Sequence, residues 1–569
     1  MNHPPNNQSA NREKLLALVA KMRAERQSNE LPTNSDIHRI HETNRIVSTL
    51  PPAITESNYE ILDKYGNLIT LNDKQREFVA TATSGKSCVL IGAAGTGKTT
   101  CQRAVTQSLI QSGIAGILSA EGHKHLISDT PGIVICAYTR RAVANIRRNM
   151  PADLQNNCIT IHKLLEYQPV YYEVMDESTG ESRTTMKFEA TRNAGNPLPS
   201  SIRVIIFEES SMIGTDLHKE VLNACPHSVQ FIYLGDIQQL PPVFGPAILG
   251  FKLLELPVVE LTEVYRQALE SPIISLAHRI LSGNPLPEKE FQNWKHENQM
   301  TIRGWKKKIK ADEAVITLGA VFRGFEEAGA YNPEDDIILI PFNKACGTDE
   351  LNKIIANHLA RKRNATTFQI IAGFNKIHLS VGDKVLYEKE DATIIKIERN
   401  LSYSGALPIS ESTTLDYWGH DPVFHESAGD GDAMDFLLAQ TAAAEDSGER
   451  VKKASHKVTV LLRDSEQEVT IDSAGDINSL LLGYALTVHK SQGSEWARVF
   501  LCLHHSHATM VQRELLYTAV TRAREELYII CEPESFVNGI KSQRVKGDTL
   551  AEKSEYFKGK VIKQQELLS

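Results

Sequence analysis

Cys88-Val89-Leu90-Ile91-Gly92-Ala93-Ala94-Gly95-Thr96-Gly97-Lys98-Thr99 sets an apolar run directly before a glycine-rich turn, and a helix-compatible segment begins near Thr100. This is the pattern of a phosphate cradle. Gly92, Gly95 and Gly97 allow backbone angles that other residues avoid, so the N–H groups from Gly92 through Ala93, Ala94, Thr96 and on to Thr100 can close around phosphate oxygens at the positive end of a helix. At this spacing Lys98 reaches the β and γ phosphates and the Thr99 hydroxyl sits on Mg²⁺. A glycine-rich turn without a ligand would not need strand, spacing and helix to agree. The expected ligand is ATP or another nucleoside triphosphate with Mg²⁺.

Outward from this loop the chain alternates short β-type apolar runs with amphipathic segments, which is how a parallel α/β sheet is written. Core strands are expected at 88–91, 132–137, 204–207 and 230–234, each followed by polar or glycine-rich residues where a site can form. From Tyr167 to Glu189 a β-hairpin interrupts the pattern, its turn at Asp176-Glu177-Ser178-Thr179-Gly180. A second α/β pattern resumes after Leu256, with strands near 337–340, 499–503 and 527–531. Between its parts, β-type runs such as Gly382–Leu386 and Lys457–Leu462 form a small inserted β domain. Within that domain, residues 425–455 have the composition of a mobile excursion. Residues 1–70 look like a helical extension, and the last thirty or so like a solvated helix or tail.

Size and composition agree with several α/β domains. At 569 residues the chain exceeds one core, and length alone suggests roughly three or four domains. Apolar residues make up 41% and charged residues 23%, which excludes wholesale disorder and fibrous repeats. No run has the length and apolarity of a bilayer span or of a signal-peptide core, so an intracellular, non-membrane protein is expected. Eight cysteines occur singly, without zinc spacing, and read as reduced core thiols. The net charge of −8 leaves a nucleic-acid partner neither suggested nor excluded, and any such site must be a local channel.

Two further clusters carry chemistry. Val204-Ile205-Ile206-Phe207-Glu208-Glu209 is a buried strand ending in two carboxylates. Beside a phosphate loop, the first acid suits the Mg²⁺ shell and the second suits orienting or deprotonating the attacking water. In Leu234-Gly235-Asp236-Ile237-Gln238-Gln239-Leu240-Pro241-Pro242, a strand ends in a tight turn, and Gln239 is placed to sense the γ-phosphate.

The set resembles the superfamily 1 DNA helicases, and within them superfamily 1B, the RecD and Dda group. Leu71-Asn72-Asp73-Lys74-Gln75 resembles the adenine-reading motif, with Gln75 as its amide. Ala137-Tyr138-Thr139-Arg140-Arg141-Ala142 and Thr160-Ile161-His162 resemble the first domain's single-strand-contacting motifs. Leu261-Thr262-Glu263-Val264-Tyr265-Arg266-Gln267 resembles the motif that supplies an arginine to the γ-phosphate. Thr487-Val488-His489-Lys490-Ser491-Gln492-Gly493-Ser494-Glu495 and Tyr517-Thr518-Ala519-Val520-Thr521-Arg522-Ala523 resemble the last two motifs. The motifs fall in family order, which a kinase or GTPase would not show, and the Leu240-Pro241-Pro242 proline pair is the 1B form. The chain departs from the usual pattern at Glu208, where Asp is usual, and at Tyr138 and Arg140, where Pro and Gly are usual.

The resemblance implies two RecA-like domains, at 71–255 and at 256–376 with 483–569. It implies a strand-separating hairpin inserted at about 165–200 in the first, and an SH3-like domain at 377–482 in the second. ATP and Mg²⁺ would lie between them, served by Lys98, Thr99, Glu208, Glu209 and Gln239 on one side and by Arg266, Arg522, Gly493 and Glu495 on the other. Single-stranded DNA would meet Thr139, Arg140, Thr160, His162, Thr487 and His489. The implied activity is 5′-to-3′ translocation and unwinding at single-strand/duplex junctions, inside a bacterial or phage-infected cell, with replication or recombination proteins as partners. An ATP-gated binding or recruitment module with weak hydrolysis, and an RNA-directed motor, are the alternatives.

Overall fold

The computed structural model describes residues 68–566 except 115–131, 176–181, 226–228, 243–246, 265–269, 285–294, 298–299, 305–308, 374, 388–389, 404–452 and 464–465. The expectations for the N-terminal extension through residue 67, for the hairpin turn, for Arg266 and for most of 425–455 lie outside the described residues.

The first sheet is fully parallel. Its strands are β1 (Cys88–Gly92), β2 (Gly132–Ala137), β3 (Cys158–Thr160), β6 (Ile202–Phe207), β7 (Gln230–Gly235) and β8 (Val258–Leu261), in the spatial order β3-β2-β6-β7-β1-β8. Because helices cover both faces, its strands read as continuous apolar runs, and every residue of β1 and β2 is buried. Between β3 and β6, β4 (Tyr167–Met175) and β5 (Ser182–Ala190) pair antiparallel from Tyr167 opposite Ala190 to Met175 opposite Ser182. One boundary moves. The sheet does not end at residue 255, because Val258–Leu261 pairs with β1, Val89 facing Val258, and shields that strand's open edge.

The second sheet contains β9 (Lys295–Glu297), β10 (Met300–Gly304), β11 (Ile337–Ile340), β19 (Ala485–Thr487), β20 (Trp496–Leu503) and β21 (Ala523–Cys531), ordered β19-β11-β20-β21-β10-β9. Only the edge strand β9 runs antiparallel to its neighbour among these described pairs. Between β11 and β19 lies antiparallel structure that begins ten residues earlier than composition suggested. A hairpin of β12 (Thr367–Ala372) and β13 (Asn375–Ser380) precedes β14 (Lys384–Tyr387), β15 (Glu390–Arg399), β16 (Lys453–Leu462), β17 (Glu468–Ser473) and β18 (Leu481–Leu482), a sheet of order β17-β16-β15-β14-β18. Its core is small: Ile394, Val458, Val460 and Ile471 turn to one face while Thr393, Lys457 and Thr459 turn to the other, the period-two alternation of a sheet wet on one side. Lys384 fastens it to the second sheet by donating to Pro333 O, Glu334 O and Asp336 O at 3.2, 2.9 and 3.3 Å.

The C-terminal segment is not a solvated tail. Its helix Leu550–Glu566 packs on the first lobe's helix Ile248–Glu255, with the Phe557 ring against Gly250 and Lys553 only 1% exposed. A high share of charged residues hid the apolar stripe that Leu550 and Phe557 contribute to the first lobe's core. All eight cysteines are free thiols, seven of them buried, and burial pushes several, such as Cys88, up to about 12.

Candidate active site

The phosphate loop is shaped by the elements it joins. β1 ends at Gly92, and the helix Lys98–Gln111 is capped by Gly97, whose φ of 89° is left-handed and which offers no side chain to the helix's first amides. Those amides sit at the positive end of the helix, where an anion is the natural partner. Gly92 is required by crowding: a Cβ there would stand 2.4 Å from Thr96 Oγ1, which donates to Ala93 O at 2.8 Å. Lys98 folds onto the loop, its Nζ donating to Gly92 O at 2.6 Å and Ala93 O at 3.1 Å, and Thr99 is exposed.

Register brings the acids to the same end. β7 lies between β1 and β6, with Ile91 opposite Gly235 and Phe207 opposite Tyr233, so the loop, Glu208-Glu209 and Asp236 all follow the carboxyl ends of adjacent strands. Glu209 takes a left-handed φ of 49°, a costly conformation for a residue with a Cβ. Both carboxylates keep some surface open to the cleft but lie deep among protein groups. Loss of hydration, then the neighbouring Glu209, pushes Glu208 up to about 8, with Lys98 opposing. Burial also raises Glu209; Arg522 and Lys98 pull it down, while Asp236 and Glu495 push it up. Gln239 is buried, its N–H donating to Asp236 O at 3.1 Å, and its side-chain Oε1 has no partner among the described residues.

The second sheet's segments close over this end. Tyr517, on the helix Arg513–Val520, is fully buried and accepts the Ala94 N–H at 2.7 Å while donating to Asp236 Oδ2 at 2.5 Å. His278 Nε2 donates to Ala94 O at 3.1 Å. Leu240 is held in the same way: its N–H donates to Thr518 Oγ1 at 3.0 Å, and its carbonyl accepts from Gln492 Nε2 at 2.7 Å. Arg522, 3% exposed, donates to Thr518 O, Ser494 O and Thr521 Oγ1 at 2.9, 3.1 and 3.2 Å.

Two profiles match the two sheets in turn: an AAA domain over residues 75–245 and a UvrD-like helicase C-terminal domain over residues 482–530. The ATP-dependent RecD2 DNA helicase of Deinococcus radiodurans is 27% identical over 463 residues, 80% of this chain and 48% of that protein. The RecD subunit of the RecBCD enzyme of Mycolicibacterium smegmatis is 23% identical over 84% of this chain and 74% of its own. The ATP-dependent DNA helicase dda of Enterobacteria phage T4 is 23% identical over 77% of this chain and 93% of its own. The chain is similar to the RecD/Dda-like superfamily 1B helicases. It spans about half the length of the RecD2 protein, 48%.

The RecD/Dda motifs read as DNA-contacting converge too. β2 and β3 pair with Ala137 opposite Thr160, so Thr139, Arg140, Thr160 and His162 follow one edge, and the Tyr138 and His162 rings lie 5.6 Å apart. Thr139 and Thr160 also serve as N-caps, accepting from Ala142 N and Lys163 N at 3.1 Å each. Opposite them stands Gly493, where a Cβ would meet Thr139 Oγ1 at 2.9 Å, and whose carbonyl accepts from Asn145 Nδ2 at 3.1 Å. Thr487 is buried and accepts Lys490 N–H at 3.3 Å, and His489 is half-buried. Arg140 Nη1 lies 3.4 Å from Glu390 Oε2 of the inserted sheet. Gln75 is buried in a capping box, its Oε1 accepting Asn72 N–H at 3.0 Å and its own N–H donating to Asn72 Oδ1 at 2.9 Å.

Tyr517, His278 and Asp236 received no role from the sequence. Tyr517 and Asp236 lie inside quoted motifs, so the available signal was a phenol and a carboxylate at strand and helix ends that fold together. His278 lies outside every motif, on a helix with an ordinary apolar stripe. Away from the cleft, ligand atoms of His504, His505 and Glu532 lie within 4.8 Å of one another. His504 Nε2 is spent on Ile309 O and His505 Nδ1 on Glu532, both at 2.9 Å, so the group reads as a hydrogen-bond network. No described helix is long and apolar enough to cross a membrane.

Proposed function

We propose that this chain is an ATP-dependent DNA helicase that translocates 5′ to 3′ on single-stranded DNA and opens the duplex ahead. The observation that carries the reading is the seating of the second sheet's motifs on the phosphate loop, Tyr517 on Ala94 and Arg522 within the field of Glu209. In this reading the two parallel-sheet lobes are the RecA-like domains, β4–β5 is the strand-separating hairpin and β14–β18 the SH3-like domain. The loop amides from Gly92 to Thr100 and Lys98 bind the triphosphate, and Gln75 reads adenine. Thr99, which is exposed, and Glu208, through water, would hold Mg²⁺, which would supply charge neutralisation for the phosphates. Glu209 orients the attacking water and takes its proton, Gln239 senses the γ-phosphate, and Arg266 and Arg522 offset the charge that develops there. Closing the cleft brings Thr139, Arg140, Thr160 and His162 towards Thr487 and His489, so alternating grip on DNA turns each closure into a step.

Lys98→Ala and Glu209→Gln are expected to lower single-strand-stimulated phosphate release, the latter by about 10²–10⁴-fold, the range for a general base. Undiminished turnover in both purified variants would sink the reading. Duplexes with a 5′ or a 3′ single-stranded tail then read polarity directly: unwinding only of the 5′-tailed substrate is expected. A preference for RNA over DNA of the same sequence in competition would redirect the assignment to an RNA motor, and hydrolysis unmoved by any strand would leave an ATP-gated binding module.

A further inference from the structure

The second lobe holds two residues of the first by both of their backbone polar groups. At Ala94 the N–H goes to Tyr517 and the carbonyl to His278; at Leu240 the N–H goes to Thr518 and the carbonyl to Gln492. Ala94 is the third residue of the phosphate loop, and Leu240 follows the γ-sensing Gln239. The Leu240 grip is buried and the Ala94 grip partly so: Tyr517 and Thr518 are fully buried, Asp236, Leu240 and Gln492 are 1–3% exposed, and Ala94 and His278 are half-buried. Burial and the adjoining Asp236 carboxylate hold the Tyr517 phenol far above its ordinary range, so it stays a donor to Asp236 and an acceptor from Ala94.

We propose that Tyr517 is a positioning residue that ties the shape of the phosphate loop to the placement of Arg522. Tyr517 and Arg522 are five residues apart, the first on the last turn of the helix Arg513–Val520 and the second just past its end. Arg522 Nε donates to Thr518 O at 2.9 Å and its N–H to Ala519 O at 3.2 Å, so the arginine hangs on the same turn that carries the tyrosine. A shift of the Ala94 peptide as the loop takes up phosphate moves the hydroxyl, and with it the turn that aims Arg522. Asp236 anchors the other side of that hydroxyl and is itself fixed by Gln238 N–H donating to Oδ1 at 2.9 Å. The tie is addressed to backbone atoms, so it reports the loop's geometry whatever the loop's side chains are. It rests on the reading of the cleft as an ATPase site and adds to it a residue that touches neither nucleotide nor reacting atoms.

The test uses the full chain as wild type, Tyr517→Phe, Asp236→Ala and the double variant, with ATP turnover measured with and without a single-stranded oligonucleotide. Tyr517→Phe is expected to lose about tenfold more of the DNA-stimulated kcat than of the DNA-free kcat, the factor of one buried charge-assisted hydrogen bond. The double variant is expected to lose no more than the worse single, because both act through one hydroxyl. Equal loss in both rates, or additive losses, overturns the positioning role in favour of plain packing. Amide exchange over residues 92–99 supplies a readout independent of turnover: Tyr517→Phe should speed it, and unchanged exchange overturns the tie. If wild type shows no DNA-stimulated hydrolysis, the helicase reading fails, and amide exchange by itself decides whether the tie exists.

Discussion

Beside the candidate site, the first lobe meets the rest of the molecule along two seams made of different material. At the phosphate loop the contacts are hydrogen bonds to the backbone of Ala94, part-buried, and of Leu240, buried, and Leu240 itself lies in the second lobe's apolar core. Along the inserted β sheet the contacts are ionic: Arg141 pairs with Asp391 and lies with its Cζ 5.3 Å from the Trp496 ring centroid, and Arg140 pairs with Glu390. The first seam is made of backbone hydrogen bonds and senses ångström-scale geometry. The second senses charge, and it runs beside residues whose expected partner is a polyanion. A DNA motor of the kind proposed would use both, one deaf to salt and one tuned to phosphate.

The largest effect that would break this contrast lies at Arg141. Its side chain is 9% exposed and that of Asp391 17%, so removing either leaves the other charge poorly hydrated. Arg141→Ala is expected to cost about 3 kcal/mol in urea unfolding, and the double variant with Asp391→Ala less than the two singles summed. Additive costs would mean that the Trp496 contact, rather than the ion pair, holds this seam.

Arg140 sharpens the contrast by being different from its neighbour. Nearly half of its side chain, 47%, is exposed, so its pairing with Glu390 contributes little to stability, roughly 0–1 kcal/mol. On the proposed reading it offers a cation, paired with Glu390, for which a DNA phosphate would compete. Arg140→Ala should leave unfolding nearly unchanged and reduce the slope of log affinity for single-stranded DNA against log salt by roughly 0.7, the single-strand value for one phosphate contact. An unchanged slope would remove Arg140 from the DNA path. The Tyr517→Phe effect, by contrast, should hold across the same salt range, since no exposed charge takes part.

Much of this was legible in the chain. The apolar runs at 88–91, 132–137, 204–207 and 230–234 became four adjacent members of one parallel sheet, because strands buried on both faces must be apolar throughout. The loop and the two acids followed, since sheet order alone places strand ends together. What stayed hidden was of two kinds. Seams are made by residues distant in sequence, such as His278 and Ala94 at a separation of 184, and no local periodicity encodes such a pair. Edges were misjudged where a short strand carries little pattern of its own: Val258–Leu261 reads as the start of a new domain, yet its partner is β1.

The C-terminal helix offers a third, purely steric seam on which the contrast can be checked with the smallest perturbation. Gly250 lies on the helix Ile248–Glu255, where an added Cβ would come within 2.8 Å of the Phe557 ring. That distance is shorter than carbon atoms tolerate, so the half-buried ring or one of the two helices must shift. Alanine should otherwise favour the helix over glycine by about 1 kcal/mol, so propensity and packing pull in opposite directions. Overpacking costs about 1–3 kcal/mol, and Gly250→Ala is therefore expected to destabilise the first lobe by about 1 kcal/mol net. The Phe557→Ala background should reverse the sign, because only the propensity gain remains once the ring is gone. If Gly250→Ala stabilises the protein with Phe557 in place, the terminal helix is not seated on the first lobe in solution. A salt-independent loss that vanishes in the Phe557→Ala background would place this seam with the phosphate loop's, set by shape, and leave Arg140 and Arg141 as the contacts through which charge is read.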